Sequence, residues 1–170
     1  MDREPTDAVD QAIAAWHRER PDVDISPFAV VGRVSRLARL WDNEIQEFFA
    51  QHNLDSGEAD VLTTLRRAGA PYELTAGALV RASMVTSGAI TKRIDRMAAK
   101  DLVVRVAAEA DRRTVRIRLT PHGKQLIDEV FAAHIANEAR LLASLDRAQV
   151  EQLTDGLRTL LLALGDTTLT

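Results

Sequence analysis

The sequence predicts a mainly α fold interrupted once by a small β-hairpin. Three observations carry that expectation. Apolar residues recur at steps of three and four along most of the chain. Capping and proline signals cut this pattern into separate helices. Between residues 102 and 119 the period shortens to two. The composition agrees: 170 residues, 46% hydrophobic and 28% charged, supply a core and an ordinary polar surface.

Residues 6–20 read as a short helix with Ala8, Ala12, Ile13 and Trp16 on its apolar side. Arg20-Pro21-Asp22 ends it, because the residue before a proline avoids the helical region. Ser26-Pro27 opens a long helix, with Ser26 as N-cap and Pro27 at the first helical position. Val31, Val34, Leu37, Trp41, Ile45, Phe48 and Phe49 mark its apolar stripe through about His52. Trp41 falls within that stripe and reads as core.

Asp55 and Glu58 have the spacing of a capping box, so a helix starts there and stops at Gly69. Thr75 caps a very short helix to about Ala82. Thr86 caps the next, which runs to about Lys100. Two helices joined by a few residues form a helix-turn-helix. Val103, Val104 and Val106, then Val115, Ile117 and Leu119, form two strands around the turn residues 109–112. Thr120-Pro121 launches a long helix to about Leu145. Asp146 caps the last, with Val150, Leu153, Leu157, Leu160, Leu161 and Leu164 along it.

A helix-turn-helix followed by a basic hairpin is a winged helix-turn-helix. Charge supports a polyanion partner for it. The segment from Arg81 to Arg118 holds ten basic and four acidic residues, a local +6 inside a chain of net −3. On the second helix, Ile90, Ile94 and Met97 share the core side. Gly88, Lys92 and Arg96 share the opposite side, flanked by Ser87 and Thr91. Small hydrogen-bonding residues at a helix N-terminus suit phosphates and bases. Lys92 and Arg96 are the stronger base or phosphate contacts. Arg112, at the tip of the wing, is the minor-groove candidate, with Arg113 the structural partner of Asp111.

Other classes find little support. There is no cysteine, which removes disulfides, thiolate nucleophiles and Cys-type zinc sites. The four histidines are scattered, and no metal or cofactor is expected. No Gly-x-Ser-x-Gly, phosphate loop or paired-carboxylate face appears, so the chain is not expected to be an enzyme. The longest apolar run, residues 160–164, is far below the roughly 20 residues of a membrane span. Asp2-Arg3-Glu4 follows Met1 without an apolar stretch, so a cytoplasmic location is expected.

Residues 85–97, VTSGAITKRIDRM, resemble the recognition helix of MarR-family transcriptional regulators. Asp101-Leu102-Val103, Asp111-Arg112-Arg113 and Leu119-Thr120-Pro121-His122-Gly123 resemble the strand, wing and post-wing helix that follow it there. The resemblance covers about residues 26–164. It implies a homodimer whose terminal helices interlock while two winged helices read a pseudo-palindromic operator in double-stranded DNA. The residues agree independently: the terminal helices hold more apolar side chains than a winged helix can cover, as burial across a two-fold requires. The implied organisation is an N-terminal extension helix (1–25), a dimerisation helix (26–54), a DNA-binding lobe (55–120) and C-terminal dimerisation helices (121–170).

The chain is also similar to the PecS and urate-responsive branch of that family. There an added N-terminal helix supplies a tryptophan, a helix supplies an aspartate, and two arginines lie in the DNA-binding lobe. Trp16, Asp60, Arg93 and Arg105 match that set. The resemblance implies a repressor released by a small anionic effector, a urate-like purine first and a carboxylic acid such as citrate second. The alternatives are that these residues only brace the lobe, or that the winged helix is a protein-interaction and dimerisation module without DNA.

Overall fold

In the computed structural model, residues 5–82, 90–107 and 114–168 are described. They form seven helices and one three-stranded antiparallel sheet. The chain divides into two compact units, Met1–Ile45 and Gln46–Thr170.

The first unit holds helix α1 (Ala8–Glu19) and most of helix α2 (Phe28–Gln51). Asp7 caps α1 through a reciprocal box with Asp10. Val9 is buried, and a Cβ at Gly32 would sit 3.3 Å from its Cγ1, so α1 rests closely on α2. Arg33 fastens the same two helices, donating to Asp7 (2.8 Å) and Asp10 (2.6 Å). Ser26 does not cap α2. Its hydroxyl donates instead to Asp24 Oδ2 at 3.1 Å, and the helix begins at Phe28.

The second unit is built around helix α3 (Ser56–Arg67). Asp55 and Glu58 form the expected capping box, and the chain leaves α3 through Gly69 at φ +80°. Leu62 and Leu65 are fully buried, one helical turn apart, with Val61 beside them. That apolar side packs on helices α4 (Ala76–Ala82), α5 (Ile90–Ala99) and α6 (Pro121–Leu141). Leu79, Ile94, Met97 and Ile127 supply the facing core.

The sheet closes one end of this unit. Strands β2 (Val103–Ala107) and β3 (Val115–Leu119) form the expected hairpin, with Val103 opposite Leu119 and Arg105 opposite Ile117. A third strand, β1 (Glu73–Thr75), adds to the outer edge of β3. Three residues show no period, so β1 was invisible in the sequence. It is held by pairing and by Glu73, whose Oε2 accepts from Arg118 Nε at 2.6 Å across the strands and pairs with Arg118 Nη2.

Thr120 caps α6, accepting from the Gly123 N–H at 2.9 Å. The helix ends at Leu141, short of the expected Leu145, and Asp146 caps helix α7 (Arg147–Ala163) through a box with Gln149. No residue of α7 is buried. Leu160, Leu161, Leu162 and Leu164 stand in solvent, as do Phe131 and Ile135 of α6. In the first unit Val30, Val31, Val34 and Leu40 of α2 are exposed as well. Among the described residues no helix is long and apolar enough to cross a membrane.

Candidate functional site

Helix α5 divides its circumference into three parts. Ile94 and Met97 face the core. Thr91 and Lys92 face solvent, and Lys92 has no ion pair among the described residues. Along one edge, Arg93, Arg96 and Lys100 follow each other at steps of three and four and meet the first turn of α3. Of the residues expected to touch DNA, Thr91, Lys92 and Arg96 can therefore be placed. Ser87, Gly88 and Arg112 lie outside the described residues, as do the expected cap Thr86 and the wing tip.

Arg96 has a second commitment. Its Nη2 donates to Asp55 Oδ2 at 2.7 Å, and its Nε lies 3.6 Å from Glu58 Oε1. Arg93 lies flat over the backbone of Gly57, where a Cβ would run into its guanidinium. Its side chain keeps only 18% exposure, and its Nε is 3.9 Å from Asp55 Oδ1. A side chain at Gly57 would have to displace the Arg93 guanidinium from the start of α3.

Arg105 points to the opposite edge of α5. Side chains two apart on a strand share a face, so Arg105 follows Val103 toward the helices, and Nη2 meets Asp95 Oδ1 at 2.7 Å. Asp60 is half-buried on α3. Trp16 belongs to the first unit, where its half-exposed indole, Arg20, Val23, Ile25, Pro27 and Phe28 border a recess of about 370 Å3. Arg20 there is tied to Asp22 by two bonds of 2.8 and 2.7 Å.

Sequence reasoning missed a second recess, of about 360 Å3, between α3 and α6. Thr63, Arg66, Arg67, Ile127, Asp128 and Phe131 line it. Arg66 donates to Asp128 Oδ1 and Lys124 to Oδ2, both at 2.6 Å. Arg67 reaches the Ala82 carbonyl, at the end of α4, at 3.0 Å. The signal in the sequence is slight: two adjacent arginines at the end of an amphipathic helix.

Lys124 foremost, and then Arg66, hold the Asp128 carboxyl below the usual carboxylate range. A carboxyl whose pKa is lower in the folded chain stabilises the fold above its unfolded value. That stabilisation disappears as pH falls through the folded value. The melting-temperature gap between wild type and Asp128→Asn is therefore expected to be constant near neutrality and to close below about pH 4. Melting curves from pH 7 to pH 3 check this, and a gap independent of pH would refute it. The pair is partly exposed, so the gap itself is small.

Three comparisons place this architecture among known proteins. A sequence model of the MarR family matches residues 52–114. The HTH-type transcriptional regulator PecS of Dickeya dadantii (strain 3937) is 38% identical over 135 residues, covering 79% of this chain and 81% of PecS. Among solved structures, AbsC, a MarR family transcriptional regulator from Streptomyces coelicolor, superposes with a TM-score of 0.71 at 22% identity, covering 85% of this chain and 97% of AbsC. A MarR mutant from E. coli complexed with operator DNA superposes with a TM-score of 0.68 at 22% identity, over 82% of this chain and 99% of that one.

Proposed function

The chain belongs to the MarR family of transcriptional regulators, and from that membership we propose a homodimeric repressor that binds a pseudo-palindromic operator and leaves it when a small anionic effector binds. The observation that carries the DNA part is the exposed Lys92, without an ion pair among the described residues, beside Thr91 on the outer face of α5, inside a segment of local charge +6. A helix so placed inserts its polar face into the major groove, while its cations meet phosphates and base edges. Thr91, Lys92 and Arg96 are the proposed contacts on that face, together with Ser87, Gly88 and the minor-groove candidate Arg112, which lie outside the described residues. That a MarR mutant from E. coli of the same fold was solved with operator DNA supports DNA as the partner.

The dimer reading is supported by the uncovered apolar side chains of α6 and α7 and, separately, of α2. For the effector response we propose Trp16 in the first unit and, in the second, Asp60, Arg93 and Arg105. The support is chemical: an exposed indole for stacking, and guanidinium groups for an anion that stacks and pairs with them. A urate-like purine satisfies both; a carboxylic acid such as citrate satisfies the arginines alone. Arg93, on α5 itself, lies 3.9 Å from Asp55, and Arg105 of β2 bonds Asp95 on the opposite edge of α5 at 2.7 Å. An anion that draws either arginine from its carboxylate loosens the seat of the recognition helix.

A gel shift on the DNA upstream of the chain's own gene, at fixed salt with and without urate or citrate, tests the reading. Lys92→Ala and Arg112→Ala are each expected to weaken binding to all DNA and to flatten the dependence of log K on log salt by about 0.9 per lost phosphate contact. Arg93→Ala is expected to keep the shift and lose the effector response. Wild-type affinity in the first two, or a wild-type response in the third, refutes the corresponding assignment. Absence of any shift at low salt would favour a protein-interaction module.

A further inference from the structure

We propose that Glu58 is a positioning residue for DNA recognition, which sorts the cations of α5 between the protein and the nucleic acid. The inference rests on reading α5 as the DNA-contacting helix. Glu58 is nearly inaccessible, its side chain 2% exposed. Oε2 accepts from Lys100 Nζ at 2.7 Å and from the Asp55 N–H at 3.2 Å. Oε1 is buried, lies 3.6 Å from Arg96 Nε and has no hydrogen-bond partner among the described residues. Lys100 also donates to the Asn53 carbonyl at 2.9 Å.

A capping box does not require this charge. Its third position needs an acceptor for the cap N–H, and glutamine serves equally. A buried carboxylate is costly unless cations compensate it, and here the compensating cations come from the recognition helix, about 40 residues further along the chain. Lys92, Arg96 and Lys100 are four apart, so each is turned about 40° around α5 from the one before. Lys92 has no ion pair among the described residues, Arg96 is shared with Asp55 and Glu58, and Lys100 is held by Glu58. Remove the charge on Glu58, and Lys100 becomes a mobile cation that any phosphate can attract, while Arg96 keeps only its bond to Asp55. Glu58 therefore favours specific over general attraction to DNA.

The test compares the upstream fragment of the shift experiment with a random duplex of equal length, using the full chain across a salt series. Glu58→Gln keeps the capping acceptor and the side-chain volume. It is expected to raise random-duplex affinity and steepen its salt dependence by about 0.9 per freed cation. The ratio of specific to random affinity is expected to fall about tenfold, the scale of one well-placed base contact. Adding Lys100→Gln is expected to return the random-duplex slope toward wild type. A mere stabilising role predicts parallel loss on both duplexes with unchanged slopes, and that result overturns the proposal. If Glu58→Gln does not fold, Lys100→Gln alone decides: Lys100 is already held by Glu58, so its loss is expected to leave the random-duplex slope at the wild-type value, and a slope flattened by about 0.9 overturns the proposal. A wild-type chain that binds both duplexes alike, or neither, overturns the operator reading and this inference together. A wild-type preference that Glu58→Gln leaves intact overturns this inference alone.

Discussion

The double substitution Leu160→Glu and Leu164→Glu is expected to leave a folded monomer whose operator affinity is about 10²–10⁴-fold lower, the contribution of linking two half-site contacts in one particle. The fold survives because neither side chain takes part in the core of its own chain: both are exposed, Leu164 at 83%. They belong to a stripe of Leu153, Leu157, Leu160 and Leu164 along α7. Water is a poor neighbour for such a stripe, and a symmetry-related copy is its natural cover. Two carboxylates per chain placed there would have to be desolvated against each other at a two-fold, so association fails. Light scattering at micromolar concentration together with the gel shift reads both effects. A dimer that persists would move the interface away from α7. A monomer with wild-type operator affinity would refute two-half-site binding.

Gly123→Ala is expected to lower stability by about 3 kcal/mol, at the severe end of overpacking, and the melting temperature by about 6–12 °C. A Cβ at this position would run into the Leu102 carbonyl oxygen and carbon and its Cα. All are backbone atoms and cannot rotate away. Leu102 is also fastened from the other side, because its carbonyl accepts the Thr120 N–H at 3.1 Å. Thr120 in turn donates its hydroxyl to the Asp101 carbonyl at 2.6 Å and caps α6 with the same oxygen. The end of α5, the start of β2 and the start of α6 therefore meet in one joint. Opening it shifts the wing relative to the recognition helix, so operator affinity is expected to fall with stability. Urea unfolding checks the prediction, and an unchanged midpoint would show that the start of α6 can move outward without loss.

Nearly all of the architecture was legible in the sequence, and the particular residues show why. Asp55, Thr120 and Asp146 cap their helices as their spacing demands, because a cap is a bond between residues two or three apart. The hairpin follows from alternation, and its register from which side chains can be buried. Ser26 shows the limit even of local signals: two residues away, Asp24 competes for its hydroxyl and wins. The outward face of α5 was legible too, since helical angle alone separates Lys92 from Ile94 and Met97.

The partners of the charged residues were not legible. Arg96 resembles Lys92 in the sequence, yet only Arg96 is claimed by Asp55 and Glu58. Arg105 sits among valines, and its carboxylate is Asp95 on another element. Glu58 reads as a capping residue and turns out to anchor Lys100 as well. The sequence by itself determined the helices, the hairpin, the caps Asp55, Thr120 and Asp146 and the family, because those depend on residues within a few positions of one another. The tertiary structure alone decided which cations of α5 are paired with carboxylates and which stay exposed. An ion pair between residues 40 positions apart exists only after packing has brought two helices together, and no local pattern encodes that distance.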